Sequence, residues 1–441
     1  MMKKRLWSRW ILALAVVWPC MAAAHDRVRE KENFDFDWKF ILNADDRANA
    51  GMQVSEAGWQ DVQLPHDWSI SQNFDPKLSG SNGHLPGGIG WYRKTFRVGK
   101  KDKGRRIAVL FDGIYSRSDV YVNGQHLGFR PYGFCYQEYD LTPYLNGAEN
   151  VLAVRVNNPL EHDSVARWYT GAGIYRHAWL VKTAEVHVAS YGTYVTTPVV
   201  TAERAEVRVR TSVANEAERT KTLSVRQQIT DGEGRTVVQS GKQALQVAAG
   251  QTADTEHTLE IPRPQLWDTE HPYLYTLHTS VYDGRKLVDT YETVFGVRTC
   301  EFTSDRGFLL NGKPLKLKGF CLHQDDASLG TALPLRSMER KLEICKEYGV
   351  NAIRCSHNQP SPEFLDLCDR MGFVVIDEAF DKWKSGYYAQ YFDAWWQEDL
   401  KNMLVRDRNH PCVVLWSIGN ELQEAWDGSD TGCRRAAMLQ D

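Results

Sequence analysis

Four apolar stretches in the last third of the chain each run into side chains suited to acid–base chemistry or to hydrogen bonding a polar ligand. "LKLKGFCLH" (315–323) ends in His323. "VNAIRCSH" (350–357) carries Arg354 and His357, with Asn358 just behind. "FVVIDEAF" (373–380) holds Asp377 and Glu378, and "VVLWSIGNE" (413–421) ends in Asn420 and Glu421. A rigid buried strand is a good mount for a group that must be aimed. Plainer readings stand beside these. Glu421 could be a helix cap or a solvated surface carboxylate, and Arg354 a structural ion pair. His323, His357 and Asn358 could belong to ordinary turns. Asp377 and Glu378 either line a site or only order the loop around Arg354.

The stretches between these strands are helical. "RSMERKLEICKEYG" (336–349) has apolar residues at helical spacing and stops on Gly. "SPEFLDLCDRMG" (361–372) has Ser at its cap, Pro in its first turn and Gly at its end. "YFDAWWQEDLKNMLVRDRNH" (391–410) is the third helix. Four strand–helix repeats result, the last incomplete, and the strands have the unbroken apolar character of parallel strands covered on both faces. A doubly wound sheet and a (β/α)8 barrel both begin this way. No glycine-rich phosphate loop follows any strand, which argues against a nucleotide-binding sheet. A barrel gathers all strand ends on one face, where the site belongs, and is the preferred reading.

Upstream the chain reads as β-structure. Residues 34–183 contain short strands rich in β-branched and aromatic residues, with an Asn-Gly hairpin turn in "VNGQ". Residues 184–298 alternate strictly, as strands with one wet face do, and fit a fibronectin-like immunoglobulin sandwich. The formal charge of -3 removes any electrostatic case for nucleic acid or an acidic membrane surface. Residues 1–24 have the pattern of an export signal: Lys3, Lys4, Arg5 and Arg9, then "ILALAVVWPCM", then Ala22 and Ala24 at a small-x-small cleavage site. A soluble exported protein, periplasmic or secreted, is expected. The cysteines show no zinc spacing, and buried free thiols are expected although export permits disulfides. An aromatic set, Trp91, Tyr92, Trp168 and Tyr169, is expected in glycine-rich loops of the first sandwich.

Taken together these segments resemble glycoside hydrolase family 2, in particular its β-galactosidase-like members. "WQDVQLPHDWSI", "LPGGIGWYRKTF", "SDVYVNGQHLGFRPYG" and "RWYTGAGIYRHAWL" are similar to the family's N-terminal sugar-binding sandwich. "FGVRTCEF" resembles its join to the barrel, and "LKGFCLHQDD", "NAIRCSHNQPSP", "VVIDEAFDKW" and "VVLWSIGNE" its first four barrel strands. The resemblance implies a multidomain protein. Its parts are a signal peptide (1–24), a jelly-roll sugar-binding β-sandwich (25–183), an immunoglobulin-like β-sandwich (184–300) and the first half of a TIM barrel (301–441).

The same resemblance implies a retaining glycosidase that removes terminal β-linked galactose. Glu421 would be its general acid/base, with a proton affinity raised by partial burial. Asn420, His357, Asn358, His323, Arg354, Asp377 and Glu378 would bind substrate or surround the site. β-Glucuronidase and β-mannosidase activities, or a non-catalytic carbohydrate-binding role, are the alternatives. A retaining mechanism needs a second carboxyl about 5–5.5 Å away as nucleophile. In the family this is a Glu on the seventh strand. A full barrel takes about 250 residues, and residues 302–441 supply half of one, so the nucleophile is expected beyond residue 441 and the chain alone is expected to lack activity. Metal-dependent members carry a Glu and a His just past "DEA"; "DEAFDKWKSG" has neither, so no metal and no cofactor is expected. The expected partner is a carbohydrate, with no nucleic acid, no membrane after signal cleavage, and a homo-oligomer compatible with the sequence.

Overall fold

A computed structural model of the protein describes residues 28–43, 45–147, 149–158, 168–426 and 430–440. The export signal expected over residues 1–24 lies outside them. The first domain is a sandwich of a six-stranded and a four-stranded sheet, closed by strand Ala178–Thr183. Its Asn-Gly turn is as the sequence anticipates: strands Ser118–Val122 and Gln125–Arg130 pair antiparallel, and Asn123 and Gly124 hold φ of 50° and 84°. Trp91 and Tyr92 are not in a loop. They sit in strand Gly88–Arg97 and are fully buried, which withdraws them from any sugar-facing role.

The second domain begins at Val186 with a fifteen-residue strand and pairs a three-stranded with a five-stranded sheet. Strand Arg204–Asn215 alternates buried and exposed residues along most of its length, as the period of two requires.

The third domain opens with three short antiparallel strands between Cys300 and Pro314. Four parallel strands follow in sequential order: Gly319–Leu322, Ala352–Cys355, Val374–Glu378 and Val413–Ser417. Helices α1 (Leu335–Glu347), α2 (Pro362–Met371) and α3 (Ala389–Asp407) connect them, and α4 (Gln423–Trp426) and α5 (Asp430–Gln440) come after. The capping of α2 explains its sharp limits. Ser361 accepts a bond from the Phe364 N–H, Pro362 opens the first turn, and Gly372 closes it in the left-handed region at φ 72°. Parallel strands in consecutive order with a helix between each pair are the opening half of a barrel.

Two cores hold the barrel segment. One packs Ile353, Val375 and Val413 against Leu342, Leu365 and Cys368 of α1 and α2, with Trp267 of the second domain inserted. The other is shared across domains. Tyr115, Tyr132, Phe134 and Tyr175 of the first sandwich bury against Phe380, Trp383, Tyr388 and Phe392 of the barrel. Each large side chain so buried contributes about 1.5–3 kcal/mol, so the sandwich is fixed against the barrel mouth. The eight described cysteines are unpaired, five of them buried.

Candidate active site

The inward faces of the second, third and fourth parallel strands converge on Glu378. Its Oε2 accepts from Arg354 Nε (3.1 Å) and Nη2 (2.6 Å) and from the Ser417 hydroxyl (2.7 Å). Its Oε1 meets His357 Nδ1 at 2.7 Å. Burial alone would raise the Glu378 proton affinity, but the bonds from His357, Ser417 and Arg354 outweigh it and hold the carboxyl below its ordinary value. Arg354 also donates to Asn420 Oδ1 at 3.0 Å, so strands two, three and four are tied at one height.

Asn420 is the next node. Its Nδ2 donates to Asp381 Oδ1 at 2.8 Å, and its N–H to the Asp381 carbonyl at 2.9 Å. Lys382 bridges outward, from Asp381 Oδ1 (2.9 Å) to the Asn420 carbonyl (3.2 Å) and Glu421 Oε2 (3.4 Å). Glu421 sits just past the fourth strand in the left-handed region, φ 46°, an uncommon conformation for a residue that is not glycine. Its side chain is 40% exposed. The burial expected to raise its proton affinity is therefore not what surrounds it here; an ammonium is.

His323 and His357 come together with Trp168 of the first sandwich. Trp168 stacks on His323 (centroids 5.0 Å, 21°) and meets His357 edge-on at 5.4 Å. Burial and the neighbouring His357 lower the proton affinity of His323. Asp67 anchors the loop that carries Trp168. It accepts from Ser69 N, Ala172 N, Tyr169 Oη, Thr331 N and Thr331 Oγ1, joining two sandwich loops to the barrel loop after the first strand. Gly171 and Gly330 flank that carboxylate with positive φ, and a Cβ on either would run into it. Tyr169 thus serves the anchor. Asn358 is buried; its Nδ2 donates to Gln324 Oε1 (3.2 Å) and the Gln359 carbonyl (2.9 Å).

Asp377 is corrected. Alternation along the third strand sends it to the opposite face from Glu378, where it is wholly buried. Its environment there is Asp407 and Arg406 at the end of α3, and burial together with Asp407 pushes its carboxyl well above the ordinary range. It does not reach a ligand on the inward face. Glu378 is inward but fully buried, with its oxygens already engaged, so it orders Arg354 and His357 rather than presenting a free carboxylate. Asp381 joins the site, and Ser417 and Lys382 complete it without having been singled out as part of it. Parallel register carried a signal for Ser417, which pairs with Glu378. Among the described residues one group of three potential metal ligands is close enough to share an ion, Asp369, His410 and Cys412. It lies apart from this face, and its members already serve one another: His410 Nδ1 meets Asp369 Oδ2 at 2.6 Å, and Cys412 N donates to Asp369 Oδ1 at 2.9 Å.

Two β-sandwiches are packed on a parallel barrel segment, with carboxyls, amides and imidazoles gathered at the strand ends. Three family profiles match in chain order. They are the sugar binding domain of glycosyl hydrolases family 2 (residues 33–184), glycosyl hydrolases family 2 (186–298) and the TIM barrel domain of the same family (303–440). The chain belongs to glycoside hydrolase family 2. It is 45% identical over 420 residues to the β-galactosidase BoGH2A of Bacteroides ovatus, covering 92% of this chain and 48% of that protein. It is 36% identical over 401 residues to a putative β-glucuronidase of Formosa agariphila, covering 89% and 37%. A crystal structure of a family 2 member from Bacteroides cellulosilyticus superposes with a TM-score of 0.86 at 41% identity, covering 93% of this chain and 55% of that one. The chain thus spans about half the length of these relatives, or less.

Proposed function

We propose that the protein acts as a retaining β-glycosidase on terminal β-linked galactose, with Glu421 as general acid/base. The observation that carries this is the placement of Glu421. It follows a strand whose neighbour Asn420 is fixed from both sides, by Arg354 and by Asp381, and its own carboxyl, beside Lys382, is 40% exposed at the strand ends. Glu421 would give its proton to the departing glycosidic oxygen while a nucleophilic carboxylate takes the anomeric carbon. It would then remove a proton from the water that releases the sugar. The inward carboxylate Glu378 is consumed by its own bonds and is not assigned as that nucleophile. The 45% identity to a β-galactosidase supports galactose; the similarity to a putative β-glucuronidase keeps a sugar acid as the second reading. The basic and apolar pattern of residues 1–24 supports export to the periplasm or medium.

The test is hydrolysis of methyl β-D-galactoside and methyl β-D-glucuronide, whose alkoxide leaving group needs a proton, by protein with a complete barrel, with and without Glu421→Gln. The expected result is galactoside turnover that falls by about a thousandfold or more in the variant, as loss of a general acid with a poor leaving group implies. Undiminished turnover by Glu421→Gln overturns the assignment.

A further inference from the structure

We propose that Asp381 makes this site selective for neutral hexosides over uronic acids; the inference rests on the reading of Glu421 as the catalytic carboxyl. A pocket opens beside Lys382, lined among others by Tyr115, Trp168, His357, Asp381, Lys382 and Tyr387. It belongs to both domains and is mostly aromatic, which suits the C–H faces of a pyranose ring.

The polar atoms in its wall set what those rings surround. Asp381 Oδ1 is engaged by Lys382 and Asn420. Asp381 Oδ2 is buried and has no hydrogen-bond partner within the protein, and the same holds for Trp168 Nε1. A buried polar atom without a partner is costly, and such atoms in a pocket wall mark where a ligand's own polar groups belong. A carboxylate oxygen only accepts and an indole N–H only donates. A hydroxyl satisfies either, because it gives its hydrogen to Asp381 and offers a lone pair to Trp168.

A sugar carboxylate does not fit the same wall. It has no hydrogen for Asp381, and it sets a second negative charge beside the first in a place with little water to screen them. The Trp168 N–H carries no charge to offset it, and the basic side chains nearby are engaged elsewhere. Lys382 is shared among Asp381, the Asn420 carbonyl and Glu421, and His357 Nδ1 is held by Glu378. Arg354 is taken by Glu378 and Asn420. The pocket therefore discriminates by repulsion as well as by attraction.

The test compares two ligands that differ only at C6, methyl β-D-galactopyranoside and methyl β-D-galactopyranosiduronate, binding to the 441-residue chain by calorimetric titration at pH 7. The neutral glycoside is expected to bind at least about tenfold more tightly, and Asp381→Asn to bring the two within about threefold. Equal or tighter binding of the uronate by the unaltered chain overturns the proposal. So does an unchanged ratio in an Asp381→Asn variant that still melts cooperatively. Should that variant fail to fold, the ratio in the unaltered chain decides the matter, and Asp381→Glu, which keeps the charge, is expected to keep the preference. Binding of both ligands without discrimination overturns selectivity alone; binding of neither overturns the sugar site at Glu421 as well.

Discussion

Arg354 and Glu378 face each other across neighbouring strands, and two nitrogens of the guanidinium reach one carboxylate oxygen, at 3.1 and 2.6 Å. The carboxylate is fully buried and the Arg354 side chain is 31% exposed. The pair therefore sits at the border where losing one partner is expensive for the other. Glu378→Gln keeps the shape and removes the charge. It is expected to lower unfolding free energy in urea by about 3 kcal/mol, and a double-mutant cycle with Arg354→Met is expected to show coupling of about 1 kcal/mol or more. Coupling near zero would mean the pair does not hold the strands together. The pH dependence has a definite sign. Bonds from His357, Ser417 and Arg354 keep Glu378 below its unfolded value, so its contribution is present above the ordinary carboxylate range and lost as pH falls through the folded value.

Asp377 should behave in the opposite way. Its carboxyl is raised by burial and by Asp407, so the folded state keeps a proton that the unfolded chain gives up. Stability then declines as pH rises above the ordinary carboxylate range. Asp377→Asn is expected to flatten that decline in urea melts between about pH 4 and 7, and to leave galactoside affinity within about twofold. A large loss of sugar affinity, with stability unchanged, would return Asp377 to the site.

The contrast between these adjacent carboxyls shows what the sequence could and could not disclose. The repeat of apolar strand, helix and polar strand end is written in hydrophobic period and caps, so the order of the barrel strands was legible, as were the two sandwiches ahead of it. Which of Asp377 and Glu378 faces inward depends on the pleat of a five-residue strand, and an apolar run with no alternation does not reveal its phase. The roles of Asp381 and Lys382 were illegible for another reason. They lie in the loop after the strand, and their partners Asn420 and Glu421 are about forty positions away. Nothing local announces that meeting. Trp168 stood out as an aromatic in a glycine-rich segment, while the anchor that delivers it, Asp67, read only as part of a motif.

His410 offers a second pH test, away from the site. It pairs with Asp369 at 2.6 Å, and although burial opposes its charge, Asp369 raises it to about 9. The folded value lies above the unfolded one, so the pair's contribution is complete below about pH 6.5 and is lost as pH rises through about 9. The loss is on the order of 3 kcal/mol. His410→Gln is expected to remove this alkaline slope from urea melts between pH 6 and 10. An identical slope in the variant would place its origin elsewhere.

Trp168 is where the first sandwich enters the barrel mouth, and its loss should be felt on both sides. Trp168→Ala removes the stack on His323 and the edge contact with His357, and is expected to cost about 3–5 kcal/mol, as large-to-small changes at buried aromatics do. Stability alone would not separate this from any other core truncation. His323 supplies the separate readout. Its proton affinity is lowered first by burial and then by His357, and Trp168 is part of that burial. Titration of the His323 ring by NMR is expected to give a midpoint below the ordinary imidazole value in the unaltered chain. In Trp168→Ala, water reaches the ring and the midpoint moves up toward the ordinary value, whereas Trp168→Phe, which keeps an aromatic face, leaves it low. A midpoint that is the same in all three would show that Trp168 does not shield His323, and the sandwich would then border the site without shaping it.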